Sequence, residues 1–269
     1  MATLGKTLTN RLINTAMYNE RFPPHFAEKY NNIPYVVLDI PRIVPDDNFM
    51  AVWTEYHIPI LRKPGKLDPK YPYSPEQAEI EYQKSAHLPR PLMINEYTMP
   101  NWVGCHALAG RADDRWTESV FDGPKLLPKF FEQLYKYLPI LKLNQVLFWS
   151  NQRPIGVHRD LHEQLPFPSS LRIVVQDNNP QSTFFLLPMP SDADKHQRSM
   201  LQPSDWSTAK FVDTSGESNT FLYNNKQWAH GAWKLEGHSK ILCSMSIDYD
   251  WAKLEALLDN SIAKNGNNL

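Results

Sequence analysis

The chain has 269 residues, 42% of them hydrophobic and 21% charged, the proportions of a globular protein long enough to bury a sizeable core. A formal net charge of −1 and a pI near 6.8, with no dense run of Lys or Arg, make nucleic acid a poor electrostatic partner. No GxGxxG or Walker-type phosphate loop occurs, no 18 apolar residues run together, and Cys105 and Cys243 stand far apart without a CxxC partner. The expectation is a cytoplasmic protein without a membrane partner, a disulfide framework or a structural zinc site; its oligomeric state is left open.

The first 140 residues read as a mixed helix and strand region that supports the β-rich remainder of the chain. Residues 34–41 (PYVVLDIP) form a short apolar run of strand type between prolines. Residues 47–56 (DNFMAVWTEY) suit a helix capped by Asp46 or Asp47. Residues 62–91 hold many prolines and charges, which predicts a surface excursion with one short helix over 75–85. Residues 124–137 (PKLLPKFFEQLYKY) carry the clearest helical period, with Leu126, Leu127, Phe130, Phe131, Leu134 and Tyr137 on one stripe.

Beyond Pro139 the period changes. Residues 143–149, 170–176, 183–187, 218–223, 228–233 and 240–248 are short segments rich in Val, Ile, Phe, Tyr and Trp, separated by Pro, Asn, Asp and Gly. Strands in succession without helices between them predict an antiparallel sandwich or barrel. A helix over 251–263 and a fraying polar tail over 260–269 close the chain. The whole is expected as one domain, 1–269, with a metal-binding β core at 141–250 and a C-terminal helix and tail at 251–269.

Two stretches carry candidate chemistry: Gly156-Val157-His158-Arg159-Asp160 and, with its histidine 70 residues after Asp160, Trp228-Ala229-His230-Gly231. In an extended segment residues i and i+2 share a face, so His158 and Asp160 can converge on one ion, and His230 from a neighbouring strand can complete the set. Two imidazoles and one carboxylate leave several positions open on one side, which suits Fe(II) binding O2 and a bidentate organic ligand. His162 is a rival for His158. Glu163 would be the general base if the same ligands held a hydrolytic zinc, and a non-catalytic binding module is a third reading.

The stretches QVLFWSNQRPIGVHRD, SLRIVV, GESNTFLYNNKQWAHGAW and HSKILCSMSID, in that order, resemble the aspartyl/asparaginyl β-hydroxylase and cis-proline hydroxylase branch of the Fe(II)/2-oxoglutarate oxygenases. The resemblance spans residues 124–250. It implies an α+β, mainly β fold with a double-stranded β-helix (jelly-roll, cupin-like) core. It also implies His158, Asp160 and His230 as iron ligands, with O2 and 2-oxoglutarate consumed in hydroxylating a C–H bond of an amino acid, free or in a polypeptide. Lys240, ten positions after His230, would meet the distal carboxylate of 2-oxoglutarate; the family more often has Arg there. Arg172 would point at a carboxylate of the cosubstrate or the substrate. Trp149, Trp228 and Trp233 are expected as core, and residues 188–208 as a long loop beside the site.

Overall fold

A computed structural model describes residues 23–30, 32–60, 102–109, 117–151, 155–158, 170–178, 184–188, 209–224, 228–232 and 239–265, with the backbone alone for 24, 27, 102, 155–158, 170, 184, 185, 187, 188 and 265. The helices are α1 (Pro24–Lys29), α2 (Phe49–Tyr56), α3 (Gly123–Leu126), α4 (Pro128–Tyr137) and α5 (Trp251–Asn265). The strands are β1 (Tyr35–Val37), β2 (Ile58–Pro59), β3 (Trp102–Leu108), β4 (Ile140–Asn151), β5 (Ile155–His158), β6 (Ser170–Asp177), β7 (Phe184–Pro188), β8 (Lys210–Phe211), β9 (Thr220–Tyr223), β10 (Trp228–Ala232) and β11 (Lys240–Tyr249). Among the described residues, no helix is long and apolar enough to cross a membrane.

The strands form two sheets, one ordered β1-β9-β6-β11-β4-β3-β2 and the other β5-β10-β7-β8, with antiparallel pairing throughout the strand ladders. From β4 to β11 the chain alternates between them, except that β7 and β8 follow one another in the smaller sheet: β4, β6, β9 and β11 lie in the larger sheet, β5, β7, β8 and β10 in the smaller. That alternation is the winding of a double-stranded β-helix, so the jelly-roll expectation holds.

Because side chains alternate along a strand, the larger sheet has two distinct faces. On the outer face Cys105, Val146, Phe148, Ile173, Cys243 and Met245 join Phe49 and Val52 of α2, Phe130 and Leu134 of α4, and Leu254 and Leu258 of α5 in one buried cluster. Phe148 is its hub: its ring meets those of Phe49 at 5.2 Å and Phe130 at 5.3 Å, edge-on or tilted. On the inner face Val174, Phe221, Tyr223 and Leu242 pack with Leu186 and Ala232 of the smaller sheet.

The helices depart from the sequence reading in three places. The stripe over 124–137 is interrupted, because Pro128 forces Leu127 to φ −130° and ψ 54° and starts a new helix in α4. Asp46 does not cap α2, whose N-cap is Asn48 without a side-chain bond. Its carboxylate instead accepts from the backbone N–H of Lys129 at 3.0 Å and Phe130 at 2.9 Å, satisfying donors at the start of α4. The tail expected to fray from residue 260 stays helical to Asn265, since buried Ser261 accepts from the Asp39 N–H at 2.8 Å and donates to the Leu257 carbonyl at 2.6 Å. The helix predicted over 75–85 lies outside the described residues.

Asn219 fastens the entry to β9. Its side chain accepts from the Ile43 N–H at 2.9 Å and donates to the carbonyls of Ile43 at 2.8 Å and Val174 at 2.7 Å, and it is 1% exposed. Asn219→Ala should lower the unfolding free energy in urea by about 2–4 kcal/mol, from several buried backbone groups left unpaired. Asn219→Asp, nearly isosteric, should be no better than alanine, because a carboxylate cannot donate to two carbonyls. An Asp variant as stable as the parent chain at neutral pH would remove the amide's assigned role.

Candidate functional site

His230 lies on β10, in the middle of the smaller sheet, and is 6% exposed. Its Cα partner on β5 is His158, and its partner on β7 is the fully buried Leu186. Directly opposed positions of an antiparallel pair share a face, with Cβ atoms about 4.5–5.5 Å apart. The fold therefore brings the two predicted histidine positions, 72 residues apart in the chain, to one register point. Asp160, His162 and Glu163 lie outside the described residues, as do Trp233 and all but the first residue of the 188–208 loop. Among the described residues no group of three His, Cys, Asp or Glu side chains clusters as a metal site.

Position on β10 also fixes where His230 faces. Ala232 and Trp228, two residues to either side, belong to the inter-sheet cluster or pack on it. The His230 ring meets Tyr223 of β9 at 4.9 Å between centroids, inclined at 56°. Tyr223 is 1% exposed and reaches across from the larger sheet. Its phenol oxygen accepts from Arg172 Nη2 at 3.0 Å, and the guanidinium carbon is 5.3 Å from its ring centroid. These two centroid contacts place the Arg172 guanidinium within about 10 Å of the His230 ring.

Arg172 belongs to a transverse row on the inner face. Successive register partners run Val37, Phe221, Arg172, Ser244, Leu147 and His106 across six strands. Beside the row, Trp149 Nε1 donates to Ser244 Oγ at 2.6 Å, and its ring packs on the inter-sheet cluster with Trp228. Both tryptophans are partly buried and pack against the core cluster. His106, 2% exposed, stands 3.7 Å from Glu118 through Nε2. Sequence reasoning missed Tyr223 and His106; for the first, the period-two pairing of Phe221 and Tyr223 in TFLY was the available signal.

Lys240 sits at the start of β11, opposite Asp177, and their side chains pair at 3.0 Å with 14% and 18% of each exposed. The position four residues further along β11, Ser244, is the one opposite Arg172. At about 3.4 Å per residue the two cations stand at levels about 14 Å apart along the strand. A bulge between Ile241 and Leu242 sets the Lys240–Asp177 register.

The two thiols take no part in this site. Cys105 and Cys243 both stand opposite Phe148, one on each side, so two strand spacings, about 10 Å, separate them, too far for a disulfide. Burial pushes the Cys105 thiol up to about 12; it also raises Cys243, against a lesser opposing pull from Arg172.

No family model and no curated protein matches the chain. Among solved structures it is similar to the Fe(II)/(alpha)ketoglutarate-dependent dioxygenase TqaL, at 10% identity and TM-score 0.38 over 83% of this chain and 86% of that one. A second is a prolyl hydroxylase from Trichoplax adhaerens in complex with a hypoxia inducible factor peptide, at 8% identity and TM-score 0.36 over 89% and 93%. A third is HygX from Streptomyces hygroscopicus with nickel, 2-oxoglutarate and hygromycin B bound, at 13% identity and TM-score 0.32 over 75% and 87%. At such TM-scores these likenesses add no weight, and the fold assignment rests on the strand order.

Buried thiols with raised pKa values should stay protonated and unlabelled by Ellman's reagent at pH 8, with two thiols appearing on denaturation. The folded chain holds these protons after the unfolded chain has released them. Stability from this source is therefore complete below about pH 8.5 and falls as pH rises toward 12. Rapid labelling of the native chain at pH 8 would contradict the burial assigned to both cysteines.

Proposed function

We propose that the chain is a non-haem oxygenase that binds Fe(II) through His158, Asp160 and His230 and consumes 2-oxoglutarate and O2. The observation that carries this reading is the register of His230 against His158, beside a tyrosine that links His230 to an arginine on the opposite sheet. Imidazoles at directly opposed positions fit one first-row divalent ion, and Asp160 at i+2 from His158 adds the carboxylate. When bound, the iron and 2-oxoglutarate supply an oxidant for an unactivated C–H bond, with succinate and CO2 as coproducts.

The chain's own groups hold and orient. His230 is buried, next to Leu186 in the sheet and with its ring against Tyr223, contacts that restrict the orientation of the ring. Arg172 and Lys240 are the two basic residues assigned to 2-oxoglutarate. Of these, Arg172 is the better placed for the distal carboxylate. Its guanidinium lies within about 10 Å of the His230 ring, a distance a five-carbon diacid held at one end can span. Lys240 is already paired with Asp177, so a ligand carboxylate would have to share or displace that partner. The substrate we assign is a small molecule or peptide, hydroxylated at an amino acid carbon as in the aspartyl/asparaginyl and cis-proline hydroxylase branch. Residues 1–269 are taken as one domain with its metal-binding core at 141–250. Two free buried cysteines suit the cytoplasm.

Metal content after anaerobic purification, with 2-oxoglutarate decarboxylation, tests the proposal. Asp160→Ala should abolish turnover and weaken Fe(II) binding, while His162→Ala should cost little. Arg172→Ala should raise the apparent KM for 2-oxoglutarate by about 30- to 5000-fold, the loss of one partly buried charge-assisted partner, with Fe(II) affinity little changed. Lys240→Ala should then have the smaller effect. If the two phenotypes come out exchanged, Lys240 is the anchor and Arg172 serves the substrate. Zinc retained in place of iron, with no 2-oxoglutarate consumed, would replace the oxygenase by a hydrolase; no metal at all would leave a binding module.

A further inference from the structure

We propose that Tyr223 is a positioning residue that couples the metal-side imidazole of His230 to the cosubstrate-side guanidinium of Arg172. The role rests on reading His230 as a metal ligand and Arg172 as the anchor of 2-oxoglutarate. Tyr223 is one of the largest fully buried side chains in the protein, and it has two functional neighbours in two sheets. Its ring lies 4.9 Å from the His230 ring, while its hydroxyl accepts from Arg172 Nη2 at 3.0 Å. Arg172 donates its other terminal nitrogen to the Leu171 carbonyl at 3.1 Å. The guanidinium is therefore held in one orientation by fixed acceptors on its own strand and on β9.

A phenol suits both contacts. The ring face gives the imidazole a rigid wall, and the hydroxyl gives the guanidinium an acceptor that carries no charge. An acidic residue in that place would neutralise the arginine and compete with any ligand carboxylate. Neutral tethering leaves the positive charge for the ligand and removes the rotamer freedom that binding would otherwise have to freeze. A tyrosine serving only as core would need some partner for its hydroxyl, but its loss would not distinguish metal from diacid.

The two contacts are separable by substitution. Tyr223→Phe keeps the ring and deletes the acceptor; Tyr223→Leu deletes both. Mn(II) binding to the intact chain, measured by calorimetry, and 2-oxoglutarate binding to the Mn(II)-loaded chain are the readouts, so no turnover is required. Tyr223→Phe should leave the Mn(II) Kd within about twofold and weaken 2-oxoglutarate about tenfold, the size expected for one charge-assisted hydrogen bond. Tyr223→Leu should weaken Mn(II) as well. In an Arg172→Gln background, Tyr223→Phe should have no further effect on 2-oxoglutarate. A Tyr223→Phe chain that binds 2-oxoglutarate as the parent does, or one that loses Mn(II) and 2-oxoglutarate equally, overturns the positioning role while leaving the oxygenase reading intact. A parent chain that binds neither Mn(II) nor 2-oxoglutarate overturns that reading, and this role with it.

Discussion

β11 is hydrogen-bonded along both edges, to β4 on one side and β6 on the other, and this double register decides which way every neighbouring side chain looks. With a period of two, slipping β11 by one residue would carry Cys243 and Met245 into the space between the sheets. It would turn Ser244 against the helices. The helix-facing cluster resists that exchange, because Phe148, Cys243 and Ile173 stand in one register row beneath α2 and α4. Burial on the outer face therefore fixes the composition of the inner one. The site depends on a core it does not touch.

The two faces differ in kind. The outer cluster is apolar, whereas the inner face collects Arg172, Ser244, Tyr223 and His106 opposite His230. Each polar group withdrawn from water costs free energy unless it finds a partner, and a guanidinium costs most. A sandwich built only to be stable would place leucine or valine at these positions. Here Arg172 is accommodated by one carbonyl, one phenol oxygen and one ring face, contacts that orient it without cancelling its charge. Such a concentration of polar groups on one face, held by an apolar layer behind, supports the proposed placement of the site between the sheets.

Most strands after Pro139 were legible because they are short β-branched or aromatic runs bounded by turn residues; β6, β9, β10 and β11 begin within two residues of the expected positions. β3 was not. In WVGCHAL, Gly104 and His106 occupy the inner face and Cys105 and Ala107 the outer, so neither face looks apolar enough to reveal the alternation. β2 and β8 have two residues each, too few for any period. The break at Pro128 was hidden because the apolar stripe continues across it. The meeting of the His158 and His230 positions was legible from HxD and a later strand histidine. Tyr223 was not, because its meaning comes from Arg172, 51 residues away in the chain and paired only after β6 and β9 join.

The same distinction separates the two cations. Counting ten residues from His230 singles out Lys240, and that count correctly finds the start of β11 in the larger sheet. A count along the chain says nothing of the level at which a residue enters the sheet. That level is set by the bulge after Ile241, which brings Lys240 opposite Asp177 and gives the ammonium a carboxylate partner within the protein. Arg172 enters on β6 four positions further along β11, in the row of Phe221 and two residues from the row of Tyr223. Its flat fork can hold the Tyr223 oxygen with one nitrogen and present others to a carboxylate, which an ammonium already engaged by Asp177 cannot do as readily. Spacing in the sequence favours the lysine as the proposed anchor; register in the sheet favours the arginine, because register governs what a diacid held beside His230 could reach.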